Sequence, residues 1–135
     1  MSLNNATPTT LEEAVDLLDG HLDRSTREMI NAATSMAVFH HSTGQDMRNA
    51  WHLWEPSSPL QQHFQKRFRL GMADDISAFV LEELGCRIKG IPHNRAATVK
   101  RFHDHWARHG IDPVTLKELR PTRLGIVRDI LKGIS

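Results

Sequence analysis

Arg48, Asn49, Trp51, Trp54, Asp74, Asp75 and Ser77 all fall within the 34 residues that open at Gly44. Residues of these types at this spacing have three chemical uses. A planar guanidinium engages a carboxylate through two parallel hydrogen bonds, so Arg48 can bridge to Asp74 or Asp75 and join two helices. The same groups, with Asn49 beside them and Trp51 and Trp54 as a roof, can line a pocket for a small polar or anionic ligand. The acids, with His40 or His41, can move protons. The bridge is the favoured use, because an isolated buried charge is costly and is normally paired. Asp74 and Asp75 are not expected to form a carboxylate dyad, since adjacent residues on a helix point apart.

Nine histidines raise the question of a metal. His105 and His109 stand at i, i+4, the spacing at which two imidazoles on one helix share an ion, which makes them weak metal candidates. The residue after His105 is Trp106, so the glutamate of a His-Glu-x-x-His protease helix is missing. Histidines on the surface of a basic helix are the favoured reading. The single cysteine, Cys86, excludes an internal disulfide and a cysteine-rich zinc site, and suits a reducing compartment. Cys86 falls near a helix C-terminus, where the helix dipole disfavours a thiolate. There is no nucleophile elbow, phosphate loop or dinucleotide fingerprint. No catalytic residue and no cofactor is therefore assigned.

The elements that position these residues read as helices throughout. Residues 1–9 read as a disordered lead-in and residues 10–135 as one helical domain. Thr10-x-x-Glu13 resembles a capping box, with Leu11, Ala14, Val15 and Leu18 following at helical spacing and Gly20 as a stop. A second helix is expected from near Ser25 through Ala37. Met47, Trp51 and Trp54 then share one face of a third. Pro56-Ser57-Ser58-Pro59 breaks the chain. Leu60–Leu70 is a short helix anchored by Phe64 and Phe68. Asp74 is a candidate N-cap for the next, which carries Ile76, Phe79, Val80 and Leu84 inward. Gly90-Ile91-Pro92 is the best internal boundary. Beyond it come a helix from about His93 to His109, a short one restarting at Asp112-Pro113, and a last one from Pro121 with Leu124, Val127, Ile130 and Leu131 inward. The expected class is all-α, an irregular bundle of about six to seven helices.

The run Phe39-His40-His41-x-x-Gly44-x-x-x-Arg48-Asn49-x-x-x-Leu53-Trp54, then Phe64, then Gly71-x-x-Asp74-Asp75-x-Ser77, resembles a family of small bacterial and phage proteins of unknown function. Its core pattern is Gly-x-x-x-Arg-Asn-x-x-x-Leu-Trp followed by Asp-Asp-x-Ser. The resemblance covers about residues 10–88 and implies a small helical domain, with no activity to carry over. Residues 93–135 lie outside it, as a basic helical extension packed on that core or on a partner subunit.

Charge is unevenly distributed. Residues 1–86 carry six Lys/Arg against twelve Asp/Glu, and residues 87–135 carry eleven against four. Such a split serves either a basic surface for an acidic partner or attraction between the two halves. The second is favoured, because the overall net charge is only +1. Under the first, Arg95, Lys100, Arg101, Arg108, Arg120, Arg123 and Arg128 would face nucleic-acid phosphates. No apolar run approaches the ~18 residues of a membrane span, and residues 1–10 lack a signal-peptide core, so a cytoplasmic protein is expected. The residues together point to a non-enzymatic helical interaction or regulatory protein that acts through a protein partner or self-association. A nucleic-acid-binding regulator and a small metal-dependent or acid-base enzyme are the alternatives. No small-molecule substrate is indicated.

Overall fold

In the computed structural model, which describes residue 3 and residues 6–119, Thr10 starts the first helix. Its hydroxyl accepts from the Glu13 amide at 3.1 Å. The Glu13 carboxylate turns to the amide and hydroxyl of Thr9, each at 2.7 Å, so the reciprocal half of the expected capping box closes one residue early. Helix α1, Leu11–His21, buries Leu11, Ala14, Val15 and Leu18, and Gly20 lies inside it rather than ending it. Leu3, within the stretch expected to lead in without structure, is buried with the core.

Helix α2, Arg24–Ala32, is capped by Asp23, which accepts from the Thr26 amide at 2.7 Å. It stops five residues short of the expected Ala37. Ser35 starts a separate 3₁₀ turn, Met36–Phe39, by accepting from the Ala37 amide at 3.1 Å. Short hydroxyl side chains compete in this way with a continuing helix. A π turn, His40–Gly44, leads into α3, Gln45–Ala50.

The expected tryptophan face does not form. Helix α3 ends at Ala50, and His52 adopts a left-handed backbone with φ of 51°. Trp51 is fully buried while Trp54 is 54% exposed. Two buried polar side chains hold this reversal. Ser58 Oγ donates to the Trp51 carbonyl at 2.9 Å. Gln61 Nε2 donates to the carbonyls of Leu53 and Gly71 at 3.1 and 2.6 Å.

Helix α4, Pro59–Phe68, has proline in its first turn, where a missing amide hydrogen costs nothing, and ends at left-handed Arg69. Helix α5, Ala73–Lys89, is the central element. Helices α1, α2, α3 and α4 and the two tight turns all pack on it. Met72, not Asp74, takes the N-cap position, so Asp74 and Asp75 stand in the first turn, where the helix dipole favours carboxylates. Phe79 stacks with Phe64 and Phe68 at centroid separations of 5.4 and 4.6 Å.

Gly90, at φ of 70°, ends α5. Helix α6, Arg95–Arg108, follows, capped by Asn94, and Thr98 is its one fully buried residue. The short helix expected from Asp112 is absent. The Asp112 carboxylate accepts from the amides of Val114 and Thr115 at 2.8 and 2.9 Å, which closes a turn instead. Ile111 and Glu118 form an isolated antiparallel bridge. The Gly71 amide donates to the Pro113 carbonyl at 2.8 Å, so this turn is fastened to the segment that leads into α5. The helix expected from Pro121 lies outside the described residues, as do Arg120, Arg123 and Arg128. Among the described residues there are six α-helices and no strand, and the class is all-α as expected. No described helix is long and apolar enough to cross a membrane.

Candidate functional site

Arg48 lies on α3 with 2% of its surface exposed. Its Nη1 donates to Ser77 Oγ at 2.8 Å, and Nη2 donates to the His40 carbonyl at 3.1 Å and to Gln45 Oε1 at 3.0 Å. Nε lies 3.2 Å from Asp74 Oδ1. The Nε–H is not aimed at that oxygen and has no hydrogen-bond acceptor, so this contact is an ion pair rather than a directed bond. Ser77 passes its own hydrogen to the Asp74 carbonyl at 3.0 Å. The guanidinium thus ties α3, the π turn and the first turn of α5 together.

The remaining residues of the window separate. Gly44 is buried against the Arg48 guanidinium. Asn49 is exposed, and its Oδ1 accepts from Gln45 Nε2 at 3.1 Å, steadying the glutamine that meets Arg48. Trp54 stands 5.9 Å over the guanidinium carbon, within cation–π range. Trp51 lies wholly in the core, and its indole N–H meets no acceptor among the described residues. Arg48 and Trp51 therefore do not line an open pocket, and the roof expected from the two tryptophans is not built.

Asp75 points the other way. It is buried, and its Oδ2 accepts from Trp106 Nε1 of α6 at 2.6 Å. Burial pushes its carboxyl above the usual range, against the Trp106 hydrogen bond that lowers it. Asp74 and Asp75 thus serve different helices, as adjacent helical positions require.

Three of the seven described cations in the second part of the chain face acids of the first. Arg87 pairs with Asp16 at 2.7 Å, Arg95 with Glu83 at 2.5 Å and Glu12 at 3.4 Å, and Arg101 with Glu82. Lys100 pairs with Asp104 on its own helix at 2.5 Å. Arg108 is exposed. The rings of His105 and His109 lie 4.8 Å apart, and among the described residues no group of three ligand-type side chains could hold a metal around them. Burial pushes the Cys86 thiol up, with Glu83 and Glu82 adding to the effect, so it is not an activated nucleophile.

A cleft of about 360 Å³ opens between the 3₁₀ turn, α5 and α6, with Met36, Leu81 and Phe102 on its walls. Sequence reasoning missed this cleft, and it missed His93, whose ring is 8% exposed between Glu82 and Glu83. The signal for His93 was tertiary: it lies in the connection between α5 and α6, and its carboxylate partners are ten and eleven residues back on α5.

No curated protein and no solved structure matches the chain. A family model described as a domain of unknown function (DUF6794) matches residues 7–87, which hold α1 to α4, most of α5 and all the groups around Arg48, while α6 lies beyond them. That match covers more than half of the 135 residues, and the chain belongs to the DUF6794 family.

Proposed function

We propose that this chain is a non-enzymatic helical interaction protein that works through protein–protein contacts, self-association first among them, with Arg48 as an internal clamp. The observation that carries the reading is the division of labour around Arg48. Its charge and donors are taken up inside the protein by Asp74, Ser77, His40 and Gln45. Trp54, within cation–π range of the same guanidinium, is left half-exposed. A tryptophan has a large apolar surface and few rotatable bonds to order on docking, and exposed tryptophans often dominate interface energies. Val38, 72% exposed in the 3₁₀ turn, is a further apolar side chain at the surface. The ion pairs between the acidic and basic parts of the chain also favour this reading over nucleic-acid binding, since they occupy Arg95 and Arg101.

The test is sedimentation velocity over a wide concentration range on the full chain and on Trp54→Ala. The expected result is a concentration-dependent dimer that Trp54→Ala weakens about tenfold or more, as for a hot-spot residue. A wild-type protein that stays monomeric at every concentration removes self-association. A Trp54→Ala protein that dimerises as the wild type does removes Trp54.

A further inference from the structure

A groove of about 620 Å³ runs between the end of α4 and one side of α6. Phe68 and Val99 supply its apolar lining, and around them stand four Lys/Arg side chains against one acid, Asp104. His103 Nε2 donates to the carbonyls of Phe68 and Arg69 at 3.1 and 3.0 Å, which ties α6 to the end of α4 and fixes the width of the groove. Glu12 and Glu83 hold Arg67 and Arg95 from behind and are not part of the lining. The Arg67 guanidinium already lies over the Phe68 ring, 5.0 Å from its centroid. An apolar floor with guanidinium groups beside it and an excess of positive charge suits an aromatic side chain that has acids next to it.

Trp54 has that character. It is 54% exposed, and no other Trp or Phe among the described residues is as exposed. Glu55, which follows it, is exposed as well. The 40%-exposed carboxylate of Asp74 meets the guanidinium that lies within cation–π range of Trp54. A chain's own Trp54 is on the wrong side of α6 to fill its own groove. Arg48, beside Trp54, donates to the His40 carbonyl, and His40 lines the cleft on the other side of α6.

We propose that Trp54 of one copy enters the α4–α6 groove of a second copy, and that the second copy returns the contact. This rests on the self-association put forward above and names the surface that receives Trp54. Every copy carries both the projecting indole and the groove, so two reciprocal contacts close a two-fold dimer. Charge steers the encounter: the acids beside Trp54 approach the cations of the groove, while either surface repels its own kind.

The two halves of the contact come from different parts of the chain. Trp54 and Phe68 lie inside residues 7–87, which match the family, whereas α6, Arg95–Arg108, lies beyond them. A family domain without α6 would keep the projecting indole and lose one wall of its receptor.

The test is complementation between two full-length variants, followed by sedimentation velocity. Trp54→Ala removes the indole. Ala96→Glu fills the groove and reverses its charge. Ala96 is exposed in the first turn of α6, where the helix dipole favours a carboxylate, so this variant keeps its fold. Each variant alone should dimerise about tenfold or more weakly than wild type. An equimolar mixture should associate about tenfold more tightly than either variant alone, because the intact Trp54 of one meets the intact groove of the other. Rescue of this kind also shows that both variants are folded. A mixture no tighter than its components overturns the pairing. A wild-type dimer that Trp54→Ala weakens and Ala96→Glu leaves unchanged overturns the groove and leaves self-association standing. A wild-type chain that is monomeric at every concentration removes self-association, and this contact with it.

Discussion

A methyl group on Gly44 would stand 3.0 Å from Nη1 of Arg48 and 3.3 Å from the Phe39 carbonyl oxygen. The glycine is in ordinary helical conformation, φ −60°, so backbone freedom is not the reason for it. Room for the guanidinium is.

Gly44→Ala therefore sets two effects against each other. Alanine gains about 1 kcal/mol in helix propensity. Crowding a well-packed site costs about 1–3 kcal/mol, and Arg48 cannot swing away without leaving Ser77, His40 and Gln45. The net expectation is a loss of about 0–2 kcal/mol in urea unfolding. Gly20→Ala is the internal comparison. Gly20 is exposed within α1 with nothing near its missing Cβ, and it should gain about 0.5–1 kcal/mol. Equal gains at both positions would mean that Gly44 makes no room for Arg48.

How much of this was legible in the sequence depends on whether a local rule or a tertiary contact decides. The divergence of Asp74 toward Arg48 and Asp75 toward Trp106 follows from adjacency on a helix. The all-α class follows from apolar spacing in Leu11–Leu18 and Ile76–Leu84. The tryptophan face misled, because period 3.6 continues on paper past Ala50 while the backbone leaves the helix at His52. What anchors that departure is Ser58 and Gln61, two ordinary polar residues whose importance comes only from burial. The Asp112 turn misled for a similar reason: proline at a first helical position and proline in a turn look alike until the aspartate's bonds are seen.

The clamp predicts an order of damage. Arg48→Ala removes three hydrogen bonds and the packing of a buried side chain, and should cost about 2–4 kcal/mol. Arg48→Lys should recover little, since an ammonium cannot spread donors to Ser77, His40 and Gln45 in one plane. Asp74→Asn should cost less, about 1 kcal/mol, because that carboxylate is 40% exposed and its contact with Nε is not a directed bond. Urea unfolding followed by tryptophan emission ranks the three. An Arg48→Ala protein of wild-type stability would eliminate the clamp.

Asp75 and Trp106 give a prediction in pH. Burial is the largest influence on Asp75 and raises its titration, with Asp74 adding to it; the Trp106 bond and the charges of His105 and His103 oppose it. The folded state therefore holds this proton more tightly than the unfolded state. Stability contributed at this position falls as pH rises from about 4 through the folded-state titration, then levels. Asp75→Asn has no such proton, so its stability relative to wild type should climb across the same interval. Trp106→Phe removes the one donor to Oδ2 among the described residues and should cost about 1–3 kcal/mol where the carboxylate is ionised, and less in acid, where the neutral group tolerates burial. Unfolding curves of the three proteins at a series of pH values decide it. A Trp106→Phe penalty that does not change with pH would show that the indole packs against Asp75 without bonding to its charge.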